Sequence, residues 1–175
     1  MGRSLFVILG GVVAAAQIGK AIAALPALRA EFGLGLDSAA FILSVFAALG
    51  AGLAIPASLV ASRIGARRSF SGGLALIAVA SAAGAAAPTA GVLLATRFVE
   101  GAGFLGVILA GPGLIARLAQ DSRRPALMAA WGAFMGLGAV VALLAAQGLA
   151  TIGWRGLWLG LAAAAAMAGA AGFAL

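Results

Sequence analysis

Three charged residues stand inside otherwise apolar stretches of this 175-residue chain: Lys20 in one stretch, Arg97 and Glu100 in another. The amide of Gln17 lies one helical turn from Lys20 on the same face. A charged side chain at mid-membrane costs on the order of 3 kcal/mol, so such residues face a bundle interior or a water-filled cavity. Two cations and one carboxylate leave a surplus positive charge, which favours an anion, and Glu100 is the acid available there for proton exchange. On the functional reading, Gln17, Lys20, Arg97 and Glu100 form the floor of a substrate or proton pathway. On the structural reading, Arg97 and Glu100 are a self-satisfied i,i+3 pair and Lys20 reaches toward the headgroups.

Composition sets the medium in which this chemistry occurs. The chain is 65% hydrophobic, holds 27 glycines, and carries 11 basic against 4 acidic residues. A water-soluble domain is about a quarter charged and about 7% glycine, so this is a membrane protein. The absence of Cys and His excludes a disulfide framework, a thiolate or imidazole metal site, a Cys nucleophile and an imidazole base. Four scattered acids offer no catalytic constellation, so neither an enzyme nor a cofactor or metal is expected. The net charge of +7 sits in short runs between apolar stretches, where it reports membrane orientation rather than nucleic-acid binding.

About 20 apolar residues cross a bilayer core. Six stretches meet that length: Leu5–Leu28, Ser38–Ala61, Phe70–Ala87, Gly91–Arg117, Ala126–Gly148 and Gly156–Leu175. The connections are too short for a soluble domain, so residues 1–175 are read as a single six-span transmembrane domain. Arg3, then Arg63, Arg67 and Arg68, then Arg117, Arg123 and Arg124 fall on one side of the membrane. Only Arg29 and Arg155, offset by Glu31 and Asp37, fall on the other. Both termini are therefore expected in the cytoplasm. The start of the chain also has the basic, apolar and small-residue zones of a cleavable signal, but its apolar run continues to Leu28 and its loss would spoil the charge alternation. In this topology Lys20 on span one and Arg97 and Glu100 on span four share one layer, roughly 10–15 Å below the outer surface. If the two spans pack side by side, Glu100 can pair with Lys20 as well as with Arg97.

A sparse pattern recurs in the two halves. Asp37-Ser38, Gly50-x-Gly52 and Ile64-Gly65-x-Arg67 are followed in the same order by Asp121-Ser122, Gly136-x-Gly138 and Ile152-Gly153-x-Arg155. Three spans per repeat require the two repeats, about 5–87 and 91–175, to be inverted, an architecture frequent in secondary transporters. Gly101, Gly103 and Gly106, Gly132-x-x-x-Gly136 and Gly156-x-x-x-Gly160 read as close helix-packing positions. Pro56 and Pro112 interrupt spans two and four, either as bends of a moving helix or as tolerated breaks.

These motifs resemble the amino-terminal half of a major facilitator superfamily transporter over all six spans. The family's loop between spans two and three reads approximately Gly-x-Leu-Ala-Asp-Arg-x-Gly-Arg-Arg. Arg63, Gly65 and Arg67 match it, with Arg68 beside them, whereas Ser58 and Ser62 replace the first Gly and the acid. The resemblance implies a conformational loop here whose acid-dependent latch is absent; the arginines could instead meet headgroups or another acid. Arg97 followed by Gly101 and Gly103 matches the fourth-span pattern, whose arginine family analogy associates with proton coupling. Gly132 and Gly136 match half of the fifth-span antiporter pattern, but Leu137 stands in place of its proline, which argues against a drug/proton antiporter. The Gly153-Trp154-Arg155 turn is also similar to the family's.

Together these readings give an all-α membrane protein of six helices in the plasma (bacterial inner) membrane. The resemblance implies half of an alternating-access transporter for a small solute, its pathway wall on spans one and four. Its partners would be the bilayer, the solute, and a missing second six-span half or a second copy in a homodimer. The apolar ending at Leu175 favours the missing half. The alternative is a non-transporting helical assembly partner.

Overall fold

A computed structural model describes residues 2–173, and within them the chain is helical almost throughout. The helices are α1 (Gly2–Phe32), α2 (Leu36–Ile64), α3 (Ala66–Ala85), α4 (Ala90–Leu118), α5 (Arg124–Gly132), α6 (Phe134–Ala146) and α7 (Leu149–Gly172), with a 3-10 turn at Asp121–Arg123. α1, α2, α3, α4 and α7 are each long and apolar enough to cross a membrane. Ala174 and Leu175, the last residues of the expected sixth span, lie outside the described residues.

The expected fifth span, Ala126–Gly148, is not one straight helix. It divides at Ala133 into α5 and α6, bent by 46°, and the two together can serve as one broken span. The expected connection Leu149–Arg155 is also mostly helical, and the chain breaks within it at Gly153, where φ is +66°. Gly65, at φ +87°, makes the tight reversal from α2 to α3. Only glycine enters this left-handed region without a Cβ penalty. Thr89 starts α4 by accepting a hydrogen bond from the Val92 amide at 3.3 Å.

α3 packs against α4 and α7; α1 packs against α6, α7 and α4; α2 rests mainly on α4. Small residues set these distances. A methyl added at Gly73 of α3 would lie 2.5 Å from the Gly103 carbonyl oxygen, and one at Gly103 would lie 2.6 Å from that of Gly73, so the two backbones nearly touch. Gly106 approaches Ser69 in the same seam, and Gly101 lies under Leu49 of α2. The Trp131 indole is wedged between Gly11 of α1 and Gly111 of α4.

Gly132 and Gly136 depart from the packing expectation, because among the described residues no atom outside their own local backbone lies within 4 Å of a Cβ at either position. Gly50, Gly52 and Gly160 are equally open, and Gly156 meets only Ile152 of its own helix. Gly138, two residues beyond Gly136, is the one that seats α6 on Ala15 and Ala16 of α1. A small-residue spacing specifies a smooth face but not which way the helix turns it.

Candidate functional site

The bundle gathers charge in its interior. Lys20, Gln17, Ser81, Arg97 and Glu100 are all fully buried, with one apolar cluster around Trp131, Phe70 and Phe104 and another around Trp154, Trp158 and Leu28. Burial forces such groups to satisfy one another.

Lys20 Nζ reaches three acceptors: Gln17 Oε1 at 2.6 Å, Ser81 Oγ at 2.5 Å and Glu100 Oε1 at 2.8 Å. Each acceptor is oriented by a further bond. Gln17 Nε2 donates to the Val13 and Leu161 carbonyls, both at 3.3 Å, which turns Oε1 toward Lys20. Ser81 Oγ donates to the Trp158 carbonyl at 3.0 Å and so offers its lone pair to Lys20. Three N–H groups meeting three oriented acceptors match an ammonium group. The amine also sits 4.6 Å from the centroid of the Trp158 ring.

Glu100 bridges the two cations, giving Oε1 to Lys20 and Oε2 to Nη1 of Arg97. Arg97 Nη1 also donates to the Gln17 carbonyl at 2.8 Å. One face of its guanidinium is covered by Phe46 of α2, 4.3 Å from ring centroid to guanidinium carbon. Nε and Nη2 of Arg97 are buried without a hydrogen-bond partner among the described residues, as is Nε1 of Trp158.

The four residues singled out in the sequence for a pathway, Gln17, Lys20, Arg97 and Glu100, are thus brought together, and Lys20 pairs across helices rather than reaching for the headgroups. Ser81 of α3, Trp158 of α7 and Phe46 of α2 complete the cluster but were not singled out. A serine or an aromatic residue in an apolar stretch carries no signal of its own. The depth that Ser81 shares with Lys20 emerges only when α1 and α3 are set against each other.

The other candidate positions lie apart from this cluster. Arg63, Arg67 and Arg68 are exposed around the Gly65 reversal, beside a cleft of about 330 Å³ lined by Ser58, Ser62 and Arg117 among others. Ser62, in the place of the family's acid, turns its hydroxyl back to the Leu59 carbonyl at 2.8 Å. Gly101 and Gly103 hold α2 and α3 against α4 next to the charges, while Gly132 and Gly136 face open space.

At the opposite end of the bundle, Glu31 accepts from Trp154 Nε1 at 2.7 Å and pairs with Arg155 at 2.6 Å. Arg155 also donates to the Ala87 carbonyl at 3.3 Å, joining the ends of α1, α3 and α7. Among the described residues no cluster of His, Cys, Asp or Glu could hold a metal ion.

Known proteins provide an independent comparison. The chain is 32% identical over 135 residues to a puromycin resistance protein of Streptomyces alboniger, an alignment covering 75% of this chain and 27% of that protein. The chain therefore spans well under half the length of the relative it matches. The sequence profile of the Major Facilitator Superfamily matches residues 7–175, which includes every helix that carries the buried charges. The chain is an integral, multi-pass membrane protein belonging to the Major Facilitator Superfamily.

Proposed function

We propose that this chain is one six-span half of a secondary active transporter that moves a small anionic solute by alternating access. It rocks against a second six-span half or a second copy of itself, in the plasma membrane of a bacterium. Residues 1–175 then act as one domain with both termini in the cytoplasm.

The observation that carries this reading is the buried cluster itself. Two cations sharing one carboxylate at the junction of α1 and α4 are a costly arrangement for a purely structural bundle, in which apolar side chains of similar volume would hold the helices as well or better. The pattern of neighbours supports two inverted repeats. Exchanging α1 with α4, α2 with α5 and α6, and α3 with α7 turns the α1–α6 contact into α4–α2 and the α3–α4 contact into α7–α1. The exposed arginines Arg63, Arg67 and Arg68 serve as the conformational loop, meeting headgroups in one state and an acid of the partner half in the other.

Two measurements test this. The mass of the solubilised particle, with detergent subtracted, falls near twice 16.9 kDa if a second copy supplies the other half; a monomer assigns that role to a different six-span segment. Flux of radiolabelled anions is then compared in Lys20→Ala, Arg97→Ala and Glu100→Gln. Loss of flux with membrane insertion intact supports transport. Altered assembly without altered flux instead identifies a helical assembly partner.

A further inference from the structure

The donors and acceptors around the buried charges do not balance. Both carboxylate oxygens of Glu100, both the side-chain and main-chain oxygens of Gln17, and the hydroxyl of Ser81 already accept from Lys20 or Arg97. Nε and Nη2 of Arg97 remain, wholly buried and without an acceptor among the described residues. These two N–H groups point the same way from one edge of the planar guanidinium. That fork matches two oxygens of a single carboxylate. Charge is unbalanced in the same sense, since Lys20 and Arg97 against Glu100 leave one positive charge in an apolar interior.

We propose that the Nε–Nη2 edge of Arg97 is the seat for the carboxylate of a small monoanionic solute with an apolar body, reached when α2, whose Phe46 lies on the guanidinium face beside that edge, moves away. A monoanion brings the cluster to neutrality, whereas a phosphate dianion would overshoot it. Planar two-oxygen geometry completes the fork, and the walls suit an apolar body. Phe46 lies over the guanidinium, Phe104 stands 5.5 Å from Phe46, and Leu49 caps Gly101 one turn along α4 from Arg97. Since Arg97 is fully buried and Phe46 is 6% exposed, a solute enters only when α2 shifts. α2 is suited to that movement, because it rests mainly on α4 and leaves Phe41, Leu53, Ile55 and Leu59 exposed. The carboxylate seat deepens the transport reading and rests on it for its biological use.

The test is binding by the full chain in detergent, with sodium benzoate as probe at constant ionic strength and chloride as the balancing anion. Benzoate should raise the thermal unfolding midpoint saturably, while inorganic phosphate at equal charge should not. Arg97→Lys keeps the charge but lacks the fork and should weaken benzoate by at least about tenfold. Absence of a saturable shift in the parent chain, an equal shift with phosphate, or undiminished binding in Arg97→Lys would overturn the proposal. Should Arg97→Lys fail to fold, Phe46→Ala decides the matter. Removing the ring beside the seat should accelerate benzoate association, read by stopped-flow tryptophan fluorescence, and an unchanged rate overturns the proposal. Flux without benzoate binding removes the seat and leaves transport standing, whereas benzoate binding without flux supports the seat and removes the transport reading.

Discussion

Glu100 is the residue on which the buried charges depend, because it is the shared anion of two cations. Glu100→Gln leaves Lys20 and Arg97 facing each other without a counter-charge. Breaking a buried pair in this way costs about 3–5 kcal/mol. Lys20→Met is milder, since Arg97 still neutralises Glu100 and the methionine fills the lysine's volume. The double variant Lys20→Met/Glu100→Gln should recover part of the Glu100→Gln loss, a non-additivity expected of groups in direct contact. Thermal unfolding of the four proteins in one detergent checks this order, and equal losses in the two single variants would contradict it. The identities of these charges were legible in the sequence because a charge in an apolar stretch is rare. Ser81, which supplies Lys20 with its third acceptor, was not legible because serine is common in such stretches.

Between elements, glycine spacing matters less than glycine orientation. Gly103 and Gly73 hold α3 and α4 at backbone contact, so Gly103→Leu must push the helices apart. Overpacking of this kind costs about 1–3 kcal/mol, occasionally more. Gly132→Ala and Gly136→Ala meet no neighbouring atom among the described residues and, by removing glycine's backbone freedom from a helix, should leave stability unchanged or raise it by up to about 1 kcal/mol. The same unfolding assay separates the two classes, and a loss at Gly136 comparable to that at Gly103 would place a helix against α6 that the bundle does not contain. The Glu31–Arg155–Trp154 clasp joins three helix ends at a half-exposed site. Such pairs are worth about 1 kcal/mol or less and weaken with salt. Glu31→Gln should accordingly lower the unfolding midpoint slightly in dilute buffer and less in high salt.

At the scale of the whole molecule, the distribution of arginines predicts which side of the membrane each end of the bundle faces. The chain contains no cysteine, so single cysteines report their own location without background. A membrane-impermeant maleimide added outside intact cells should label Asp37→Cys and Thr151→Cys and should leave Asp121→Cys unlabelled until the membrane is opened. The reverse pattern would overturn the orientation, and with it the cytoplasmic assignment of Arg63, Arg67 and Arg68. Transport as proposed here requires a larger unit, because a site at the junction of α1 and α4 would open alternately to the two sides only if a second half rocked against it.

The sequence by itself determined the medium, the helical class and the residues that bear charge within it. Length and hydropathy act locally: about 20 apolar residues span a bilayer wherever they occur, and an unsatisfied backbone must be helical there. The tertiary structure alone decided which polar groups meet and which are left without partners. Lys20 and Ser81 lie 61 positions apart, and Arg97 and the Gln17 carbonyl lie 80 apart. Both contacts arise only from the rotation and depth of helices packed through Gly73, Gly103 and Gly138. The bend at Ala133 and the open faces of Gly132 and Gly136 have the same origin. A one-dimensional pattern records that a residue is small or charged, but the packing of neighbouring helices decides which way it points.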